Sequence, residues 1–183
     1  MALVVTVYCA SSDGIDSRYI ALAAEVGRSI AARGWSLVSG GGKRSMMGAV
    51  AAAARAGGAR TTGVIPRSLV DLEWADHDCD ELLVVETMRE RKAVMEARAD
   101  AFLALPGGLG TCEELFEIWT AGYLGLHTKP VVLLDPDGHY RGLLEWVSEV
   151  DSRGFLQPDA WPRLLATTHV RAALDACASP VRA

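Results

Sequence analysis

A single-domain Rossmann-like doubly wound α/β fold is predicted by three observations on this chain of 183 residues. Short, apolar, β-rich runs alternate with amphipathic helical stretches from Leu3 to Cys177. That pattern feeds one parallel sheet covered by helices on both faces. Small or glycine-rich segments follow three of the runs, on the sheet edge where such folds gather their ligands. No repeat, low-complexity tract or Pro/Ser linker breaks the alternation, so residues 1–183 are expected to form one domain.

Taken in order, Leu3–Tyr8 reads as a buried parallel strand, followed by the small polar loop Cys9-Ala10-Ser11-Ser12-Asp13-Gly14. Ile20, Ala23, Ala24, Gly27 and Ile30 recur at helical spacing until Gly34 ends the helix. Trp35–Ser39 is a second strand running into Gly40-Gly41-Gly42-Lys43-Arg44-Ser45, and Met46–Arg55 an alanine-rich helix. Thr61–Ile65 is a third strand, residues 68–80 are irregular, and Glu81–Val85 is a fourth strand. Met88–Arg98 reads as helix and Ala101–Leu105 as strand. A helix carrying Leu115, Ile118 and Trp119 on one face follows, then a strand at Pro130–Leu134 and a turn at Asp135–Gly138. Tyr140–Val150 is an amphipathic helix, Arg163–Thr167 a short edge strand or extended piece, and Val170–Cys177 a terminal helix.

Composition removes several classes of function. A formal net charge of −5 argues against nucleic acid as a partner, because phosphate backbones recruit basic surfaces. A local nest of amides can still hold a small anion against that balance. Cys9, Cys79, Cys112 and Cys177 form no CxxC pair, so neither zinc nor a disulfide framework is indicated and a reducing, cytoplasmic setting is expected. Met1-Ala2-Leu3-Val4-Val5 has no basic n-region, and no apolar run approaches ~18 residues, so neither a signal peptide nor a membrane span is expected. The four histidines lack metal-ligand spacing, which points to surface or loop roles.

Leu105-Pro106-Gly107-Gly108-Leu109-Gly110-Thr111-Cys112-Glu113-Glu114 organises the rest. A strand, a glycine loop and a helix start in succession leave no side chains to block a ligand, and backbone N–H groups at a helix N-terminus attract anions. A carboxylate in the first turn would face whatever the loop holds. The first βα turn, Cys-Ala-Ser-Ser, lacks the dinucleotide fingerprint, and Gly42-Lys43 is followed by Arg44 where a P-loop needs Ser or Thr. A phosphorylated mononucleotide is the better expectation. Met88-Arg89-Glu90-Arg91-Lys92 places three cations at a helix start, against the macrodipole, so an anion or carboxylate should compensate them.

Pro106, Gly107, Gly108, Gly110, Thr111 and Glu114 match, position by position, the PGGxGTxxE motif of the LOG family. These are the cytokinin-activating phosphoribohydrolases long mislabelled as lysine decarboxylases. Met88, Arg91 and Lys92 resemble the family's M-x-x-R-K, and Gly40–Gly48 its GGGxxGxMG loop, with Ser45 where a glycine is usual. The likeness runs from Tyr8 to Leu134. It implies Arg91 and Glu114 as the catalytic pair. Substrate contacts are implied from Ser11, Gly41, Gly42, Glu73, Met88, Lys92, Pro106, Gly107, Gly108, Leu109, Gly110, Thr111, Cys112, Glu113 and Thr120. Glu73 and Thr120 rest on spacing alone. Cys112 lies near a helix N-terminus, which would acidify its thiol, but no histidine nearby in sequence could act as its base, and a structural role is expected.

The implied reaction is hydrolysis of the N-glycosidic bond of a nucleoside 5′-monophosphate, a cytokinin riboside monophosphate or AMP, with neither cofactor nor metal. A homodimer is implied too, with Trp119, Tyr123 and Leu124 as exposed-looking contacts; at helical spacing, Trp119 and Tyr123 read as core or dimer contact and not as a ligand platform. A non-catalytic nucleotide or cofactor carrier of the same fold is the alternative, and it need not keep the Arg–Glu pair. Lysine decarboxylation would require a pyridoxal-binding lysine, and Lys43, Lys92 and Lys129 lie in no such context. Thr111-x-x-Glu114 also reads as a capping box, in which the glutamate would serve the helix and not the substrate.

Overall fold

Strand β1 (Val4–Tyr8) lies at the centre of the sheet, and its side chains explain why. Val5 and Val7 pack into one core and Tyr8 into another, while the Thr6 hydroxyl donates to the Met95 carbonyl at 3.1 Å. All four are buried, as a parallel strand covered on both faces requires. The computed structural model describes residues 2–72 and 74–179. After β1 come α1 (Ser17–Ala32), β2 (Ser36–Ser39), α2 (Ser45–Ala56), β3 (Thr61–Pro66) and β4 (Glu81–Val85). They are followed by α3 (Met88–Arg98), β5 (Ala101–Ala104), α4 (Leu109–Tyr123) and β6 (Val131–Leu134), and then by α5 (Arg141–Ser152), β7 (Leu164–Thr167) and α6 (Val170–Cys177).

Among the described residues the seven strands form one all-parallel sheet in the order β4-β3-β2-β1-β5-β6-β7. Helices α1, α2 and α6 cover one face through Ala23, Val26, Ile30, Met46, Val50 and Leu174. Helices α3, α4 and α5 cover the other through Met95, Leu115, Ile118, Trp119 and Val147. Each large apolar side chain so buried contributes about 1.5–3 kcal/mol. This is the doubly wound Rossmann-like architecture that the alternation predicted.

The short edge strand or extended piece expected at Arg163–Thr167 is edge strand β7, pairing in parallel with β6 from Val131↔Leu164 to Leu134↔Thr167. Of the two roles expected for Trp119, core or dimer contact, the structure shows the core: the side chain is only 5% exposed, and its indole N–H donates to the Ala160 carbonyl at 2.6 Å. A large ring at helical spacing beside Leu115 and Ile118 gains more from the core than from solvent. Leu124 is exposed as expected, and Tyr123 is half-buried.

Candidate functional site

The chain leaves β1 toward β2 on one side and leaves β5 toward β6 on the other, so the strand order reverses between β1 and β5. Loops departing in opposite directions open a crevice at such a switch point. The crevice here, about 220 Å³, is lined by Cys9, Ala10, Ser11 and Ser12 after β1 and by Gly108, Leu109, Gly110, Thr111, Glu113 and Glu114 after β5. Met47, Leu69, Met88 and Arg91 complete it. A broader depression of about 710 Å³ beyond β6 and β7 is open to solvent and shares none of these residues. The crevice, with its convergent polar groups, is the chemically equipped cavity.

Helix α4 begins earlier than its composition suggests. Gly108 is its N-cap, in an extended conformation, so Leu109, Gly110 and Thr111 are its first three helical residues. Their amides have no acceptor within the helix, and Gly108, as N-cap, brings no side chain to cap them, which makes an anion-attracting terminus at the crevice. This placement removes the capping-box reading, because Thr111 is not the N-cap. Glu114 lies in the second turn of α4, one turn deeper than expected, and still lines the crevice.

Arg91, from the first turn of α3, is 4% exposed. Its Nε donates to the Val64 carbonyl at 3.1 Å and its Nη2 to the Gly40 carbonyl at 2.8 Å. The planar guanidinium is thus held by β3 and by the residue that follows β2. Gly40 is glycine because a Cβ there would stand 1.9 Å from Arg91 Nη2. Arg91 and Glu114 meet electrostatically at buried neighbours. The Tyr8 hydroxyl is pushed well above its ordinary range by burial and then by Glu114, Glu96 and Glu117, with Arg91 opposing. Cys9, likewise raised by burial first, senses the same two charges.

The remaining expected residues divide. Ser11, Met88, Gly108, Leu109, Gly110, Thr111 and Glu113 line the crevice. Pro106 and Gly107 line a recess of about 240 Å³ on the other side of the same loop, with Ile15, Tyr19, Met46 and His139. Gly41 and Gly42 are not among the residues lining the crevice; the Gly41 carbonyl accepts from the Asp76 amide at 2.8 Å and Gly42 bridges Ala75. Lys92 turns to α4, bonding Glu113 and reaching Glu117 at 2.9 Å, so carboxylates compensate this one of the three cations at the helix start. At that same start Thr87 caps the Glu90 amide at 3.1 Å. Cys112 packs against the core behind α4, and burial raises its thiol, opposite to the acidification expected from the helix terminus. Thr120 lines a separate apolar recess with Phe116, Tyr123 and Trp146, so the fold does not bring it to the crevice. Glu73 lies outside the described residues.

Ser45 shows why a glycine is usual there. Its φ is +51°, in the left-handed region, and its hydroxyl is buried without a hydrogen-bond partner. Strain of this kind and an orphan hydroxyl each cost about 1–3 kcal/mol, against roughly 0.5–1 kcal/mol for the added freedom of glycine in the unfolded chain. Ser45→Gly is therefore expected to stabilise the protein by at least about 1 kcal/mol, read as a higher denaturant midpoint at unchanged slope. Sequence reasoning also missed Met47 and Leu69. The Met47 sulfur accepts from the Gly42 amide at 3.1 Å, and Leu69 comes from the irregular segment, which carried no periodic signal.

Fold and crevice together define a doubly wound α/β protein whose switch point sets a bare helix terminus beside a buried arginine and a carboxylate. The model of the family described as possible lysine decarboxylase matches residues 47–177. The chain is 56% identical to the cytokinin riboside 5′-monophosphate phosphoribohydrolase of Mycobacterium tuberculosis, across 95% of this chain and 92% of that protein. It is 42% identical to the enzyme of that name from Rhodococcoides fascians, across 96% and 89%. Among solved structures, the molybdenum cofactor carrier protein of Chlamydomonas reinhardtii superposes with a TM-score of 0.73 at 20% identity, covering 96% of each chain, a likeness of fold alone. The chain belongs to the LOG family.

Proposed function

We propose that this protein hydrolyses the N-glycosidic bond of cytokinin riboside 5′-monophosphates, and of AMP, releasing the free base and ribose 5-phosphate. The observation that carries this reading is the meeting, in one crevice, of the uncapped α4 terminus with Arg91 and Glu114. The relatives' names supply the substrate class. In the proposed reaction the α4 amides hold the 5′-phosphate and so orient the sugar, an effect that can supply several kcal/mol. Cleavage builds positive charge on the ribose, an oxocarbenium-like state, and the Glu114 carboxylate stabilises it and directs water to C1′. Arg91 stays protonated and cannot act as an acid; its task is to hold the ionised carboxylate and bind sugar or phosphate oxygens. A carrier of the same fold would have no use for a carboxylate beside C1′.

Release of free base from a panel of nucleotides tests the reading. AMP should be cleaved with a kcat/KM at least 10²-fold above that of adenosine, which forgoes the phosphate contacts. Equal values for the two would overturn the proposal.

We further infer a homodimer, joined through exposed apolar residues near the end of α4, Leu124 and Leu126, with the half-buried Tyr123 beside them. Light scattering at micromolar concentration should return twice the chain mass of 19.5 kDa. Four free cysteines, all with thiols raised mainly by burial, suit a reducing cytoplasmic setting.

A further inference from the structure

Three consecutive carbonyls precede α4, and each is bound by a donor from outside that helix. Leu105 accepts from the Tyr140 hydroxyl at 2.7 Å, Pro106 from the Ala10 amide at 3.3 Å, and Gly107 from His139 Nε2 at 2.9 Å. The donors on the β6–α5 connection are themselves fixed. The Asp135 carboxylate accepts from the His139 amide at 2.7 Å and from the Tyr140 amide at 2.9 Å. The His139 ring stands edge-on to Tyr140 and Tyr19, with centroids 4.7 and 5.9 Å away.

The Gly107 bond matters most, because the peptide it holds lies between two glycines. Such a peptide can flip at little steric cost, and a flipped Gly107 carbonyl would offer a negative dipole where the amides should be. In a trans peptide the carbonyl oxygen and the following N–H point in opposite directions. A Gly107 carbonyl held toward His139 therefore turns the Gly108 amide away from it. His139, Gly107 and Gly108 border the recess together, and Gly108 also borders the crevice, so this peptide stands between the two. A carbonyl can only accept, so Nε2 carries the proton in this bond.

We propose that His139 is a positioning residue for phosphate recognition. Its Nε2–H locks the Gly107–Gly108 peptide with its amide toward the crevice, so that the α4 terminus meets the 5′-phosphate of the substrate without reorganising. The proposal rests on the nucleotide reading above and acts through the loop alone. It predicts that the phosphate affinity follows the position of one N–H group, whatever the bulk or polarity of the side chain bearing it.

Glutamine and asparagine separate these properties. The Gln amide nitrogen falls where Nε2 stands, and the Asn amide nitrogen falls nearer Nδ1. Ribose 5-phosphate is titrated by calorimetry into wild type, His139→Gln and His139→Asn, and AMP kinetics are run on the same three proteins. His139→Asn should bind ribose 5-phosphate about three- to tenfold more weakly, the worth of one hydrogen bond, with the loss in AMP turnover falling on KM more than on kcat. His139→Gln should lie within about twofold of wild type. Asn matching wild type, Gln failing with Asn, or a loss confined to kcat would overturn the positioning role. A wild-type protein that binds ribose 5-phosphate yet frees no base from any nucleotide would sink the hydrolase reading, while the three titrations still decide the role of His139.

Discussion

Glu114→Gln is expected to lower kcat for base release by about 10²-fold or more, with a melting temperature within a few degrees of wild type. Glutamine keeps the size and hydrogen-bonding reach of glutamate but not the charge that meets the oxocarbenium ion in the proposed reaction. The position of Glu114 sharpens this test. In a capping box the glutamate would serve the helix start, but here α4 starts at Leu109 and Glu114 stands in its second turn. A variant that folds normally and cleaves AMP at near wild-type rate would remove Glu114 from the chemistry.

Arg91→Lys is the second large effect, and the structure alters what to expect of this position. An arginine whose partners were only substrate and Glu114 could be cut to alanine without harm to the fold. The observed side chain is buried and satisfies the Val64 and Gly40 carbonyls. Alanine would orphan both, each costing about 1–3 kcal/mol, and would mix folding with catalysis in one measurement. Lysine keeps the charge but cannot donate to two separated carbonyls from one rigid plane. It should fold, with a stability loss of about 1–2 kcal/mol, and lower kcat/KM by 10-fold or more. Near wild-type turnover in Arg91→Lys would mean that charge alone suffices, and that the orientation set by β2 and β3 is irrelevant to the reaction.

Most of the fold was legible because strand and helix periods alternate cleanly, and the boundaries of α3 and α6 fall where the pattern put them. The start of α4 was not legible. Gly-Leu-Gly-Thr has loop composition, and glycine disfavours helix, yet packing of Leu115, Ile118 and Trp119 extends the helix back to Leu109. The burial of Arg91 was equally hidden. Arginine is seldom buried, and its two carbonyl partners lie 27 and 51 residues away in sequence. Spacing alone carried Thr120 toward the site, and the helix turned it to another face. His139 gave no signal, since a histidine that holds a backbone carbonyl needs no companion at a fixed spacing.

The early start of α4 also makes the helix a ruler. Its open amides lie at Leu109–Thr111 and its carboxylate at Glu114, so the two are separated by roughly one helical pitch, about 5 Å along the axis. A 5′-monophosphate anchored at the terminus would lay its sugar along that pitch and bring C1′ level with Glu114. An added phosphate would push the sugar past the carboxylate by the length of a pyrophosphate link. Selection by chain length would then be geometric, set by where a helix begins.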